Sequence, residues 1–379
     1  MKKILLLAAA TLLAAGTAMG QSADKLRIYL NPGHGCYGPN DRPNATIPYP
    51  NLPETGRPGE KGFYESSTNL MRTLPMVDKL VKMGIKRENI MLSRTENAPY
   101  PYVPNSPDNL KYDRPLSEIC EEVDANNMDF FMSIHSNAAA DGSTTNYPLI
   151  LYRGRDGEGN DLAAGSRVMC EKMWGPHYMN ELDPQSYYSK TQQNVRGDIS
   201  FYGSSAVRHG THGDYEGYLG VLKHGVPGFL IEGYFHTYQP ARHRALNADY
   251  CKQDAIRMSR GLADIFHLTP ETTGYIMGTV KDLHEKIVND LFKYAPNTND
   301  QWLPLNKAVV TLYKGTEAVK TYQVDELYNG IFVFEDLEPG EYTVRATLEG
   351  YKPQGDFTPT ATSTEYQKLV AESMGKIVV

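Results

Sequence analysis

A histidine set between two glycines, in Asn31-Pro32-Gly33-His34-Gly35, follows the apolar run Leu26-Arg27-Ile28-Tyr29-Leu30. A second, His135, closes another apolar run in Ser133-Ile134-His135-Ser136-Asn137. A glutamate, Glu232, closes a third in Leu230-Ile231-Glu232-Gly233. Glu65 opens an apolar-periodic segment that carries Asn69-Leu70 one turn later. Two histidines and one carboxylate form a ligand set for zinc that leaves a fourth position for water. A further glutamate beside it is what hydrolysis needs as a general base. With ten histidines in the chain, a lone one is structural by default, and Glu65 alone would serve only as an acid complementing a helix N-terminus. A glutamate closing an apolar strand is more telling, because a buried carboxylate needs a partner. The residues by themselves leave open which glutamate binds and which acts as base.

Such a set needs a scaffold that brings strand ends to one rim. Leu26–Leu30, Ile90–Ser93, Asp129–Ile134 and Gly228–Ile231 read as strands, the last two apolar enough to be buried on both faces. Between them the spacing predicts helices. One covers 65–83, with Leu70, Leu74, Val77, Leu80 and Val81 as its buried stripe and Pro75 kinking it or splitting off its first turns. One follows Pro115, with Leu116, Ile119, Cys120 and Val123 inward. One covers 161–174, with Leu162, Met169 and Met173 inward, and a long one covers 241–267, with Ile256, Ser259, Leu262 and Phe266 on one face. Strands alternating with helices predict an α/β domain, a mixed or parallel sheet with helices on both faces. In such sheets ligands collect at the carboxyl ends of the strands.

Two stretches break the rhythm. Residues 37–62 are rich in Pro, Gly and Asn, and 176–218 in Tyr, Gly, Ser and His; irregular segments this long are commonly functional. After Thr269-Pro270 the pattern changes to short strands, Tyr275–Val280, Ala308–Tyr313, Val319–Val324, Ile331–Phe334 and Tyr342–Leu348, with turns at Asn329-Gly330 and Pro339-Gly340. The expectation is a small all-β sandwich over 272–379 behind a catalytic domain at 21–268, with Lys376–Val379 as a last strand.

Taken in order, the chemical segments resemble the secreted zinc N-acetylmuramoyl-L-alanine amidases of the amidase-3 type. The matching residues are Pro32-Gly33-His34-Gly35, Glu65 with Asn69-Leu70, Ser93-Arg94-Thr95, Ser133-Ile134-His135-Ser136-Asn137-Ala138, and Val221-Leu222 followed by Phe229-Leu230-Ile231-Glu232-Gly233-Tyr234-Phe235. Each motif is weak alone; the order extends over residues 26–267. The resemblance implies a phosphorylase/hydrolase-like mixed sheet. It implies peptidoglycan as substrate, cut at the amide between N-acetylmuramic acid and the L-alanine of the stem peptide. It implies Zn2+ on His34, Glu65 and His135, with Glu232 as the catalytic carboxylate. Whether an activator protein is required stays open.

The chain also departs from that family. Cys36 stands where a second glycine commonly follows, close enough to His34 to be a spurious ligand. The 31-residue step from His34 to Glu65 is longer than usual, so its loop is expected over the metal as a lid or specificity wall. The aromatic segment before Glu232 is either an occluding element or an ordinary surface loop. His209, His212, His224 and His236 are expected as hydrogen-bonding surface or loop residues, with His236 near enough to Glu232 to meet substrate. The C-terminal part resembles carboxypeptidase-regulatory-like, transthyretin-like sandwiches through Gly278-Thr279-Val280, Asn329-Gly330, the Phe334–Tyr342 segment and Gly350-Tyr351. No cluster of catalytic side chains stands out in it, so a spacer or binding role is expected there.

Bulk properties narrow the class. Lys2-Lys3, an apolar run from Ile4 to Ala15 and Ala18-Met19-Gly20 have the form of a secretory signal peptide, residues 1–20, implying an exported, periplasmic or extracellular protein. That run is shorter than the roughly 20 residues of a spanning helix. The formal charge is −7, and without residues 1–20 it is 36 basic against 45 acidic residues, or −9. An acidic chain without a basic cluster argues against a nucleic-acid partner. Four cysteines, Cys36, Cys120, Cys170 and Cys251, are too few for a disulfide-built fold and read as isolated buried thiols. Two other functions remain in view. A zinc carboxypeptidase-like peptidase would want an arginine poised for a terminal carboxylate, which no spacing identifies. A non-catalytic wall-binding protein would not need all four chemical residues.

Overall fold

A computed structural model describes residues 21–47, 62–140, 142–175, 194–206, 215–269, 271–351, 354–357, 360–361 and 367–369. Residues 1–20, most of the two irregular stretches, His209, His212 and Lys376–Val379 lie outside them, so the expectations placed there stay as stated.

The N-terminal half is built on a six-stranded sheet: β1 (Ile28–Pro32), β2 (Ile90–Leu92), β3 (Phe130–Asn137), β4 (Leu149–Tyr152), β5 (Val195–Gly197) and β6 (Gly228–Phe235), in the order β2-β1-β3-β6-β4-β5. Strands β2, β1, β3 and β6 are parallel; β4 runs antiparallel to β6, and β5 parallel to β4. The sheet is therefore mixed and covered on both faces. One face packs Ile28, Leu30, Met132 and Ile231 against α1 (Glu65–Lys82), α3 (Ser166–Met173) and α6 (Ala248–Phe266). The other packs Tyr29, Phe131 and Leu230 against Ile119 and Val123 of α2 (Leu116–Ala125) and the turn at Val221-Leu222. Along β1 and β3, neighbouring residues feed opposite cores, as the two-residue strand period requires, and both cores being apolar makes these strands read as continuous hydrophobic runs.

Several boundaries differ from expectation for identifiable reasons. Helix α1 passes unbroken through Pro75. Its buried face is rotated from the apolar stripe: Leu74 and Val81 are exposed, while Glu65, Asn69, Arg72, Thr73, Met76 and Leu80 are buried. The first turns face the site rather than the core, so their inward side is polar. The expected 241–267 helix is two, α5 (Gln239–Ala245) and α6, parted at Asn247, whose side chain caps α6 by accepting from the Tyr250 amide at 2.8 Å. Leu162 lies outside α3 and is exposed. Within the stretch expected to be irregular, β5 extends the sheet and α4 (Asp198–Tyr202) follows it directly. Asp198 anchors that turn, its carboxylate accepting from the amides of Gly154, Ile199, Tyr218 and Leu219.

Beyond Leu268 the chain forms two facing sheets. One contains the strands Val309–Lys314, Glu317–Gln323, Thr343–Thr347 and Gln354–Phe357; the other contains Gly274–Thr279, Ile331–Leu337 and Gln367–Leu369. Ile276, Val310, Leu312, Phe332, Phe334 and Val344 fill the space between them, a sandwich core. This sandwich is joined to the first half by buried contacts. Tyr250 and Ile256 of α6 pack with Tyr275, Met277 and Val333. Arg244 of α5 donates to Asp300 at 2.6 Å, and Lys252 pairs with Glu335.

Candidate metal centre

The first strand ends at Pro32, and the backbone then turns at His34, which sits in the left-handed region (φ 61°). The glycines on either side do not supply that turn; they supply room. A Cβ on Gly33 would lie 2.0 Å from the His135 ring, and one on Gly35 would lie 2.1 Å from the Tyr112 carbonyl oxygen. Arg94, the arginine of Ser93-Arg94-Thr95, fastens this turn. Its guanidinium donates to the carbonyls of Pro32 (3.1 Å), Gly33 (2.9 Å), His34 (2.7 Å) and Ser66 (3.0 Å). The motif thus ties the His34 turn to the first turn of the helix that begins with Glu65. That helix has no side-chain cap of its own; the carboxylate of Asp41 reaches across to the amide of Ser66 at 2.5 Å and accepts its hydroxyl as well.

Glu65 is 2% exposed and stands between the two histidines. Its Oε2 lies 3.1 Å from His34 Nε2 and its Oε1 lies 3.2 Å from His135 Nδ1. Oε1 also accepts from the Ser136 amide at 2.8 Å and from Asn69 Nδ2 at 3.4 Å. Asn69, one turn along α1, donates as well to the Gly33 carbonyl, which gives the Glu65-to-Asn69 spacing its purpose. Arg72, a turn further, donates to the His135 carbonyl at 2.7 Å and is held by Asp254 at 2.5 Å. Burial opposes the Glu65 charge, but His34 and the hydrogen bonds from His135 and His34 hold its carboxyl well below the ordinary range. Burial likewise works against a charged His34, but the Glu65 charge and hydrogen bond, with the charges of Asp41 and Asp113, together outweigh it and push the imidazole up to about 9. His135 is held down, chiefly by burial.

One donor atom from each of His34, Glu65 and His135 lies within 4.8 Å of the others. Two imidazole nitrogens and a buried carboxylate are the donors zinc takes in sites that keep a position open, and the bonds from Asn69 and the Ser136 amide to Glu65, and from Arg72 to the His135 carbonyl, already orient the set. The residues fit a zinc ion. Cys36 does not belong to the group; its thiol donates to the Asn109 carbonyl at 3.3 Å, and burial pushes it up to about 11. All four cysteines are buried and unbridged.

Glu232 is not at a strand end, as expected, but inside β6, where it pairs with His135 of β3 on one side and with Leu149 of β4 on the other. Its Oε2 is buried and has no hydrogen-bond partner among the described residues. Burial, then the Glu65 charge, push its carboxyl up to about 8. His34, Glu65, His135 and Glu232 all line one cavity of about 790 Å³. Its further walls include Arg42, Asp113 and Arg114, and the aromatic rings of Tyr147, Phe201 and Tyr202.

His224 and His236 lie in turns, as expected, but are 1% exposed and so buried rather than at the surface; His243, on α5, is buried as well. His236 shares a hydrogen bond with the Ser136 hydroxyl at 2.9 Å, stacks on Phe63 and has its Nδ1 3.9 Å from Glu65 Oε2. Burial holds it down at about 4, so it is neutral. Arg42, Asp41 and Arg72 escaped the sequence reading. Asp41 acts through its tertiary bonds to Ser66 and Arg42 through its place on the cavity wall, neither with a local pattern, whereas Arg72, one turn beyond Asn69 on the helix face that begins with Glu65, could have been found by its spacing.

No family model and no curated protein matches the chain. Among solved structures it is similar to an N-acetylmuramoyl-L-alanine amidase from Clostridium difficile 630, at 20% identity over 63% of this chain and 95% of the other, with a TM-score of 0.41. It is similar to the CwlD amidase of Clostridioides difficile, solved in complex with the GerS lipoprotein, at 19% identity over 64% and 99%, TM-score 0.43. It is also similar to an N-acetylmuramyl-L-alanine amidase from Mycobacterium smegmatis, at 16% identity over 65% and 99%, TM-score 0.43.

Proposed function

We propose that this chain is a zinc-dependent peptidoglycan amidase that hydrolyses the amide between N-acetylmuramic acid and the L-alanine of the stem peptide. The observation that carries the reading is the pairing of one buried carboxylate, Glu65, with two imidazoles, beside a second carboxylate, Glu232, that has an unbonded oxygen in the same cavity. The ordered motifs from Pro32 to Phe235 supply the substrate class.

In this reading His34 Nε2, a Glu65 oxygen and His135 Nδ1 hold the ion. When bound, zinc supplies a Lewis acid that acidifies water and polarises a carbonyl. The chain's own chemistry then falls to Glu232. Its carboxylate takes a proton from the attacking water and passes it to the leaving amine, so that water and amide become a lactyl carboxylate and a free L-alanine amine. Arg94 and Asn69 position the ligands, and Gly33 lets the His135 ring approach.

Export to the cell wall belongs to the same reading; no helix among the described residues is long and apolar enough to cross a membrane. Digestion of purified peptidoglycan, with and without a chelator, tests it. The expected products are intact stem peptides with a free L-alanine amine and glycan bearing free lactyl groups, formed only without chelator. Trimmed peptides on uncut muramoyl groups would replace this reading with a peptidase.

A further inference from the structure

Arg42 is an exposed arginine on an unusual backbone. Its φ of 49° lies in the left-handed region, which glycine and asparagine enter readily and arginine does not. Such a conformation persists only where its surroundings impose it, and here they do. On one side, buried Asp41 is fixed to Ser66 on the helix that carries Glu65. On the other, Asn44 donates to the Arg42 carbonyl at 2.7 Å and exchanges two backbone bonds of 3.0 Å with Phe63. Buried Arg242 in turn donates to Asn44 Oδ1 at 3.1 Å. The polar contacts that hold Ser66 and Phe63, on either side of Glu65, therefore also fix the base of the Arg42 side chain.

That side chain lines the cavity with Glu232 and His236, and its charge is felt at both. Among the described residues lining the cavity, Arg114 is the other arginine, and it is already held by Glu122 at 2.6 Å and the Ser93 carbonyl. No hydrogen bond or ion pair of the Arg42 guanidinium occurs among the described residues. A rigidly based, unpaired guanidinium facing a reaction cavity offers a two-pronged donor for a planar anion.

Resting on the amidase reading, we propose that Arg42 recognises a free carboxylate of the stem peptide, and so sets which peptides the enzyme accepts. A stem peptide offers two candidates: the α-carboxylate of the γ-linked acidic residue after L-alanine, and the carboxylate at the chain end. Both present the same chemistry to a guanidinium.

The test uses the full chain with zinc and three synthetic muramoyl peptides: one with both carboxylates free, one with the first converted to a carboxamide, and one with the second so converted. Asparagine tolerates left-handed backbone, so Arg42→Asn removes the charge without disturbing the turn, and Arg42→Lys keeps charge but not the fork. One charge-assisted bond lost should lower kcat/KM about tenfold to a hundredfold. We expect one of the two carboxamides to be cut that much more slowly by the wild type. Arg42→Asn should cut all three alike, and Arg42→Lys should fall between. Which carboxamide suffers identifies the carboxylate. Equal cutting of all three by the wild type, or an unchanged preference in Arg42→Asn, overturns the proposal. Binding of the same peptides is measured by calorimetry on the same proteins. Carboxylate-dependent binding that Arg42→Asn abolishes, without cleavage at L-alanine, would retain Arg42 as the anion site and reject the amidase reading.

Discussion

His135 on β3 and Glu232 on β6 are direct partners across two parallel strands, and the ladder shifts register immediately after them. Paired residues on parallel strands point to the same face, so an imidazole of the metal set and the unbonded carboxylate reach the cavity side by side. Their separate roles can be tested by two matched substitutions. Glu232→Gln keeps volume but cannot take a proton, so turnover should fall about 10²–10⁴-fold with zinc content and Tm nearly unchanged. Glu65→Gln removes a charged ligand and should weaken the metal site. Zinc stoichiometry and turnover on both variants decide; loss of metal in Glu232→Gln with retention in Glu65→Gln reverses the two assignments.

The protein should carry close to one equivalent of zinc, and a His34→Ala, His135→Ala double variant should carry none. Elemental analysis after dialysis checks this. Full occupancy in the double variant would place the ion elsewhere.

Arg94 spans four backbone carbonyls around His34 and Ser66. Lysine keeps the charge but lacks the planar fork. Arg94→Lys should therefore loosen the His34 turn and lower zinc affinity about 10–100-fold, the usual size of an outer-shell loss. Competition with a chromogenic chelator measures it; wild-type affinity would mean that Arg94 serves only the fold.

His34, His135 and Glu232 were legible because each follows or interrupts an apolar strand, and strand ends in such sheets share a rim; Glu65 was legible as the acid that opens α1. It misjudged the phase of α1 because Leu74 and Val81 look like core residues, while the inward face is polar where it meets the site. It joined α5 and α6 because apolar spacing continues across the cap at Asn247. Arg42 left no trace: its left-handed backbone is set by the bond from Asn44 to its carbonyl, by the Asn44–Phe63 pair and by the Asp41–Ser66 bonds, none of which has a local signature.

Asp300 links the two halves of the molecule. Burial alone would raise its carboxyl, but Arg244, then Lys281, and hydrogen bonds from Arg244 and Tyr238 hold it below the ordinary range. A depressed folded-state pKa gives stability that is complete above the unfolded value of about 3.9 and is lost as pH falls through the lower folded value. Asp300→Asn should flatten that acid-side loss and lower Tm at pH 7, since it leaves Arg244 buried without its charge partner. Thermal melts between pH 7 and 2 measure both; an identical acid limb in the variant would remove Asp300 from the balance.

We expect a chain cut after Leu268 to be poorly stable. The cut strips the cover from Tyr250 and Ile256 and removes the partner of buried Arg244. Circular dichroism melts of residues 21–268 test this; a cooperative transition near that of the full chain would show the sandwich to be dispensable for folding.

The packing of α5 and α6 on the sandwich also bears on how the enzyme would meet an insoluble polymer. A module on a flexible tether lets its partner sample a volume set by linker length. Here the joint is a buried ion pair and a shared apolar cluster, so the cavity mouth keeps one orientation relative to the sandwich. Any surface gripped by the sandwich would fix the angle and reach of cutting, as a handle fixes a blade, and cuts should cluster at a set distance from each point of attachment.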